Sequence, residues 1–138
     1  MIYKLYFIAS LFYVLFGIGH ILSEFISRFF LNPENNELYA EMSQYYIRVF
    51  GMDRSIHEYM QGFSLTMGFL LFSFGALNVL ILHKGKELIE RYRFLSLFNS
   101  LSSFIVVVLS VIYFHWPPII GYAISGFCFF IVYLKIKT

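Results

Sequence analysis

Four stretches of this chain are each apolar over nearly the length of a bilayer, and that restricts its fold more than any other feature. A spanning helix needs about 20 mainly apolar residues. Residues 5–26, 58–82, 93–114 and 118–134 meet or approach that length. The last is the shortest, so it stands steeply or thins the bilayer around it. Hydrophobic residues make up 59% of the chain and charged residues 13%, with 18 Phe and 11 Tyr among 138 residues. A soluble domain of this size has too little interior to hide so much apolar surface. A soluble enzyme, a disordered tail and a DNA-binding module are therefore poor readings. The net charge of +2 is too small to argue for a nucleic-acid partner. Cys128 is the single cysteine, which excludes an internal disulfide and a CxxC redox or zinc pair.

The expected fold is all-α: one domain over residues 1–138, built as an integral membrane, antiparallel four-helix bundle. The first apolar run follows one lysine, Lys4, but it exceeds the roughly 7–15 residues of a signal core, and no small-x-small cleavage site follows it. It reads as a retained span. The four stretches do not align with one another beyond hydrophobicity, so an inverted-repeat transporter is not expected.

Orientation follows from lysine and arginine. Four crossings put Lys4, Lys84, Lys86, Arg91, Arg93, Lys135 and Lys137 on one side and Arg28, Arg48 and Arg54 on the other. The expectation is a cell membrane, the bacterial inner membrane, with both termini cytoplasmic. Glu24, Glu34, Glu37, Glu41, Asp53 and Glu58 then lie outside, and Glu87 and Glu90 inside.

The loop between the first two spans is too long for a bare connection. Leu38, Met42, Tyr45, Tyr46, Val49 and Phe50 fall on one stripe of a helix. An amphipathic helix over about residues 34–50 is expected in this extracytoplasmic loop. Asn32-Pro33 or Asn36 would start it and Gly51 would stop it. It lies in the membrane interface or folds over the bundle as a lid; both bury the same stripe. Ser55 and Glu58 have capping-box spacing at the start of the second span, where Asp53 suits the positive helix end. Pro117-Pro118 breaks the chain between the last two spans.

Small residues recur at helical spacing: Gly17 and Gly19; Gly62, Ser64, Gly68 and Gly75; Ser96, Ser100, Ser103 and Ser110; Gly121, Ser125 and Gly126. Inside lipid such stripes bring helices together. The alternative is that the serines and Asn99 line a polar cavity.

Polar groups in a span are costly and raise a functional hypothesis. His20 lies roughly 23 Å along the first span at 1.5 Å per residue, in the outer leaflet, with Glu24 one turn further out. His57, Glu58 and Gln61 open the second span on that side, and His115 and Trp116 close the third. These seven are the candidate ligand-binding residues; no catalytic residue is assigned. Each also has a structural reading. His20 can fasten two helices, Glu24 can snorkel, Glu58 belongs to the capping box, and His115 and Trp116 suit an aromatic belt. Tyr45 and Tyr46 read as interface anchors, His83 as a helix-end residue and Cys128 as packing.

Zinc or iron would need ligand geometry that no motif here specifies, since HExxH is absent. Haem would need axial histidines, with His20 and His115 the candidates. A quinone or other lipophilic ligand needs only an apolar slot and a few hydrogen-bonding groups, and the glycines of the second span could leave one capped by His20 and Gln61. No cofactor is firmly implied.

Phe16-Gly17-Ile18-Gly19-His20 forms an FGxxH-like element. It precedes Met42 in the outer loop and Gly62-Phe63-Ser64 with Gly68 in the second span; Tyr59 stands ahead of the Gly-Phe pair. With these motifs, over about residues 10–75, the chain resembles a group of uncharacterised bacterial four-span small membrane proteins. The resemblance implies a fold and a topology and no activity, and it directs attention to His20 and Gly62.

The leading functional expectation is a binding or accessory subunit of a larger membrane assembly, with lipid and a protein partner or a second copy around it; no catalytic motif is found, and whether the chain is an enzyme stays open, leaning against. The alternative is a lipophilic-ligand-binding or catalytic bundle (quinone, lipid or metal) at His20 and Glu24, with His20 as an acid/base. A third is an oligomeric pore, whose support is the serine stripe.

Overall fold

The computed structural model describes residues 1–30 and 37–136, and only the backbone of residues 28–30 and 49. The chain runs α1 (Ile2–Phe30), α2 (Glu37–Gln44), β1 (Tyr46–Val49), β2 (Met52–Ser55), α3 (Ile56–Lys84), α4 (Lys86–Arg91), α5 (Arg93–Tyr113) and α6 (Trp116–Lys135). It is mostly helical. Within α1, α3, α5 and α6 the segments Ile2–Ser27, Ile56–Lys84, Arg93–Tyr113 and Trp116–Lys135 are long and apolar enough to cross a membrane. Asn32-Pro33, Glu34, Asn36 and Lys137 lie outside the described residues.

Contacts divide the chain into two compact units, Met1–Phe16 with Leu71–Thr138, and Gly17–Leu70. In the first, α5 turns a polar face inward: its buried residues are Ser96, Asn99, Ser100, Ser103 and Ser110. Leu101, Ile105, Val108 and Ile112 on the same helix are exposed. Ser100 Oγ donates to the Gly126 carbonyl of α6 at 2.9 Å, and the Phe104 ring lies 3.1 Å from where a Gly126 Cβ would stand. A Cβ on Gly75 would sit 2.6 Å from the Val14 nitrogen and 2.8 Å from the Ser10 carbonyl oxygen, so only glycine lets α3 approach α1 so closely. Tyr6, Ala9, Phe129 and Val132 are buried in this core, with the Tyr6 and Phe129 rings edge to face at 5.1 Å.

The second unit corrects the expected helix over 34–50. Within the described residues, α2 ends at Gln44, and Tyr46–Val49 pairs antiparallel with Met52–Ser55 in the register Tyr46↔Ser55, Ile47↔Arg54, Arg48↔Asp53 and Val49↔Met52. The aromatic and β-branched run favours strand. Phe50 and Gly51 both have positive φ, 51° and 81°, as a two-residue hairpin turn requires. Gly51 is therefore a turn residue rather than a helix stop, and the protein is not wholly α. Asp53 forms a two-pronged pair with Arg48, Nε to Oδ1 at 2.7 Å and Nη2 to Oδ2 at 2.8 Å. The guanidinium holds the Asp53 carboxyl below its usual range, and the carboxylate pushes the Arg48 pKa up.

Two connections also differ from expectation. The short helix α4 occupies the link between the second and third spans, anchored by the fully buried Ile89. The break after α5 falls at Phe114 and His115, while Pro117 and Pro118 lie in the first turn of α6, where a missing N–H costs little.

Candidate functional site

Five of the seven candidate residues lie in the Gly17–Leu70 unit, on α1 and on the first turns of α3. His20 is half-buried, and its Cβ stands 3.0 Å from where a Gly68 Cβ would be; Ile21 Cγ1 is equally close and the Gly17 carbonyl is at 3.2 Å. The space beside Gly68 is thus filled by α1. Among the described residues nothing lies within 4 Å of a Cβ at Gly62 or Gly19, so those glycines face open space there. Ser23 Oγ donates to the His20 carbonyl at 2.8 Å, which binds the serine to its own helix.

Glu24 and Gln61 come together with Phe25 and Leu65 around a hollow of about 40 Å³. That is room for about one water, against the roughly 300–1,000 Å³ typical of small-molecule sites. His57 is half-buried under Tyr39 of α2, ring centroids 5.2 Å apart and edge to face. The Ser55 N–H donates to Glu58 Oε2 at 3.0 Å and the Glu58 N–H donates to Ser55 Oγ at 3.2 Å. The Glu58 carboxylate therefore serves the helix start. His115 and Trp116 belong to the other unit, at the α5–α6 junction, and both are exposed, Trp116 at 70%. Among the described residues no three His, Cys, Asp or Glu side chains gather as a metal ion would need.

The densest polar arrangement lies in the first unit. Asn78 Oδ1 accepts from the Tyr6 hydroxyl and, at 2.6 Å, from Asn99 Nδ2, which also donates to the Tyr6 oxygen at 3.2 Å. Asn78 Nδ2 donates to the Phe74 carbonyl at 3.0 Å. Three helices thus meet at one clasp: α1 through Tyr6, α3 through Asn78 and α5 through Asn99. Beside it, Ser103 Oγ donates to the Asn99 carbonyl at 2.8 Å. A hydroxyl has one proton, so Tyr13 is the donor in the 2.8 Å bond between Tyr13 and Ser103. Ser125 Oγ is shared between the Ala9 and Gly121 carbonyls at 3.1 and 3.0 Å. Ser96 Oγ and the Tyr122 hydroxyl are buried with no hydrogen-bond partner among the described residues.

These hydroxyls and amides are directed mainly at one another and at backbone. Ser100 and Ser103 join helices, Ser100 to α6 at the Gly126 carbonyl and Ser103 to α1 at Tyr13. Sequence patterns single out Asn99 among the serines but not Tyr6, Tyr13 or Asn78. The available signal was the cost of an amide inside an apolar stretch, which Asn78 meets as fully as Asn99 does.

The hairpin adds an apolar surface. Phe50 at its tip is 99% exposed, and Met52 and Ile47, on one face by strand alternation, are exposed as well. Compared with protein-family models, curated proteins and solved structures, the chain matches none.

Proposed function

We propose that the chain is an integral membrane protein whose four long helices form an antiparallel bundle, and that it serves as a binding or accessory subunit of a larger membrane assembly. Supporting membrane insertion is the polarity of α5, apolar outside and polar inside, the reverse of a helix that faces water. Within the most apolar stretch of each span, only 22–33% is buried by the chain itself. The proposed setting is the bacterial inner membrane with both termini cytoplasmic, on the lysine and arginine distribution.

The observation that carries the subunit reading is Phe50. Its αL backbone costs about 1–2 kcal/mol for a residue with a side chain. That conformation presents an aromatic ring which the chain leaves bare, beside exposed Met52 and Ile47. Exposed aromatic anchors of this kind are favoured at protein interfaces.

The test is extraction in mild detergent followed by mass measurement and identification of what co-purifies. The expected particle is well above the 16.3 kDa chain, and Phe50→Ser reduces it. A clean monomer without partners overturns the subunit reading. Release of the chain from membranes by alkaline carbonate overturns the membrane reading. For orientation, a single cysteine at Glu41 in a Cys128→Ser background labels from outside the cell, and one at Lys86 does not.

A second reading, a lipophilic-ligand or proton-transfer site at His20 and Glu24, is favoured by the half-buried Glu24, which lines a hollow with Gln61. If His20→Ala and Glu24→Gln leave every ligand-dependent thermal shift unchanged, that reading fails.

A further inference from the structure

We propose that the groove bordered by the first turns of α1, the end of α3 and the start of α4 binds an anionic phospholipid, phosphate at the rim and upper acyl chain along the wall. The proposal rests on the membrane reading above. The groove measures about 450 Å³ and lies within one compact unit. Its polar lining is Lys4, His83 and Lys86, and its apolar lining includes Phe7, Ile8 and Leu82. Phe7 and Ile8 are exposed, so they form an open wall rather than a closed core.

The charges suit a phosphate diester. Two ammonium groups and an imidazole lie along a groove whose lining residues include no carboxylate. The nearby acid Glu90 is engaged by the Tyr3 hydroxyl, a bond that also ties α4 to α1. Glu87, on the neighbouring α4 surface, stands among Lys84, Lys86 and Arg91, so cations outnumber acids there too. The Lys86 ammonium lies 5.3 Å over the Tyr3 ring, which holds it at the rim instead of leaving it to sweep through solvent.

Position supports the same ligand. Lys4 is two residues beyond the start of α1, and Lys86 is the first residue of α4, two residues past the end of α3. Both therefore stand where long apolar helices begin or end, the level of lipid headgroups. Phe7 and Ile8 follow Lys4 by three and four residues, one turn deeper, where the first methylenes of an acyl chain would run. Free phosphate has no use for that wall, and a choline headgroup brings a cation toward two lysines.

The test uses the purified full chain in a neutral detergent, with thermal unfolding as the readout. It is titrated with dioleoyl phosphatidylglycerol, dioleoyl phosphatidylcholine or sodium phosphate. The expected result is a saturable rise of several degrees with phosphatidylglycerol alone. The double variant Lys4→Gln, Lys86→Gln weakens the half-saturation concentration about tenfold or more, while Arg54→Gln does not. Should the double variant not fold, Ile8→Trp fills the wall with the charges intact and weakens the same binding. Equal shifts with phosphatidylcholine, the same shift with phosphate, or unchanged binding in the double variant or in Ile8→Trp overturns the proposal. A chain that resists alkaline carbonate but shows no lipid preference fails here alone; one released by carbonate fails the membrane reading first.

Discussion

Asn99 Nδ2 donates to Asn78 Oδ1 at 2.6 Å, joining α5 to α3 across 21 residues of sequence, and the Tyr6 hydroxyl donates to the same oxygen from α1. One carbonyl oxygen thus fixes the register of three helices. Hydrogen bonds between membrane helices contribute about 0.6 kcal/mol on average and up to about 1.7. Asn78→Leu and Asn99→Leu are each expected to destabilise by about 1 kcal/mol. The double variant loses less than the sum, because either single change already breaks the Asn78–Asn99 bond that the two residues share. Unfolding of all three variants in one detergent, read as a double-mutant cycle, checks the coupling.

Glycines on one helix are expected to differ by what they face. Gly75→Ala drives a methyl into the backbone of α1 and costs about 1–3 kcal/mol. Gly62→Ala meets open space and is neutral or slightly stabilising, by at most about 1 kcal/mol from helix propensity. Thermal unfolding of the two variants side by side measures the difference.

The hairpin responds to acid through Asp53. Its carboxyl is held below the ordinary range by Arg48, so the pair's contribution is complete above the unfolded value of roughly pH 4. It is lost as the pH falls through the depressed folded value. Protection of the hairpin amides, taken relative to the intrinsic exchange rate at each pH, is expected to fall over that lower window and to stay flat in Asp53→Asn. A carbon-13 titration of the Asp53 carboxyl reports the same midpoint.

At the hairpin tip, stability and assembly are expected to oppose each other. Phe50→Gly relieves the αL conformation and strengthens the hairpin by about 1 kcal/mol, visible as slower amide exchange. The same change lowers the mass of the detergent-extracted particle, since the exposed ring is gone.

The long helices were legible because a run of about 20 apolar residues admits few other solutions. The Ser55 and Glu58 pairing is local, so its spacing could be read directly. The hairpin was hidden by coincidence: Tyr45, Tyr46, Val49 and Phe50 satisfy a helical stripe, and nothing before Gly51 breaks it. A Phe-Gly turn gives a weaker hairpin signal than Asn-Gly. The clasp was hidden by distance. Tyr6, Asn78 and Asn99 carry no motif, and their meeting depends on how α1, α3 and α5 align, which hydropathy does not encode. Among the candidate residues, Glu24 and Gln61 come together, while His115 and Trp116 stand exposed in the other unit.

The Tyr6–Asn78–Asn99 clasp also sets a sequence of events. As the polypeptide leaves the ribosome, Tyr6 and Asn78 are available to each other well before Asn99 has been made. The nascent pair then holds an incomplete lock with one lone pair still open. Arrival of α5 closes it, so a chain cut short ahead of Arg93 would carry that vacancy permanently and offer quality-control machinery a polar mark among apolar helices.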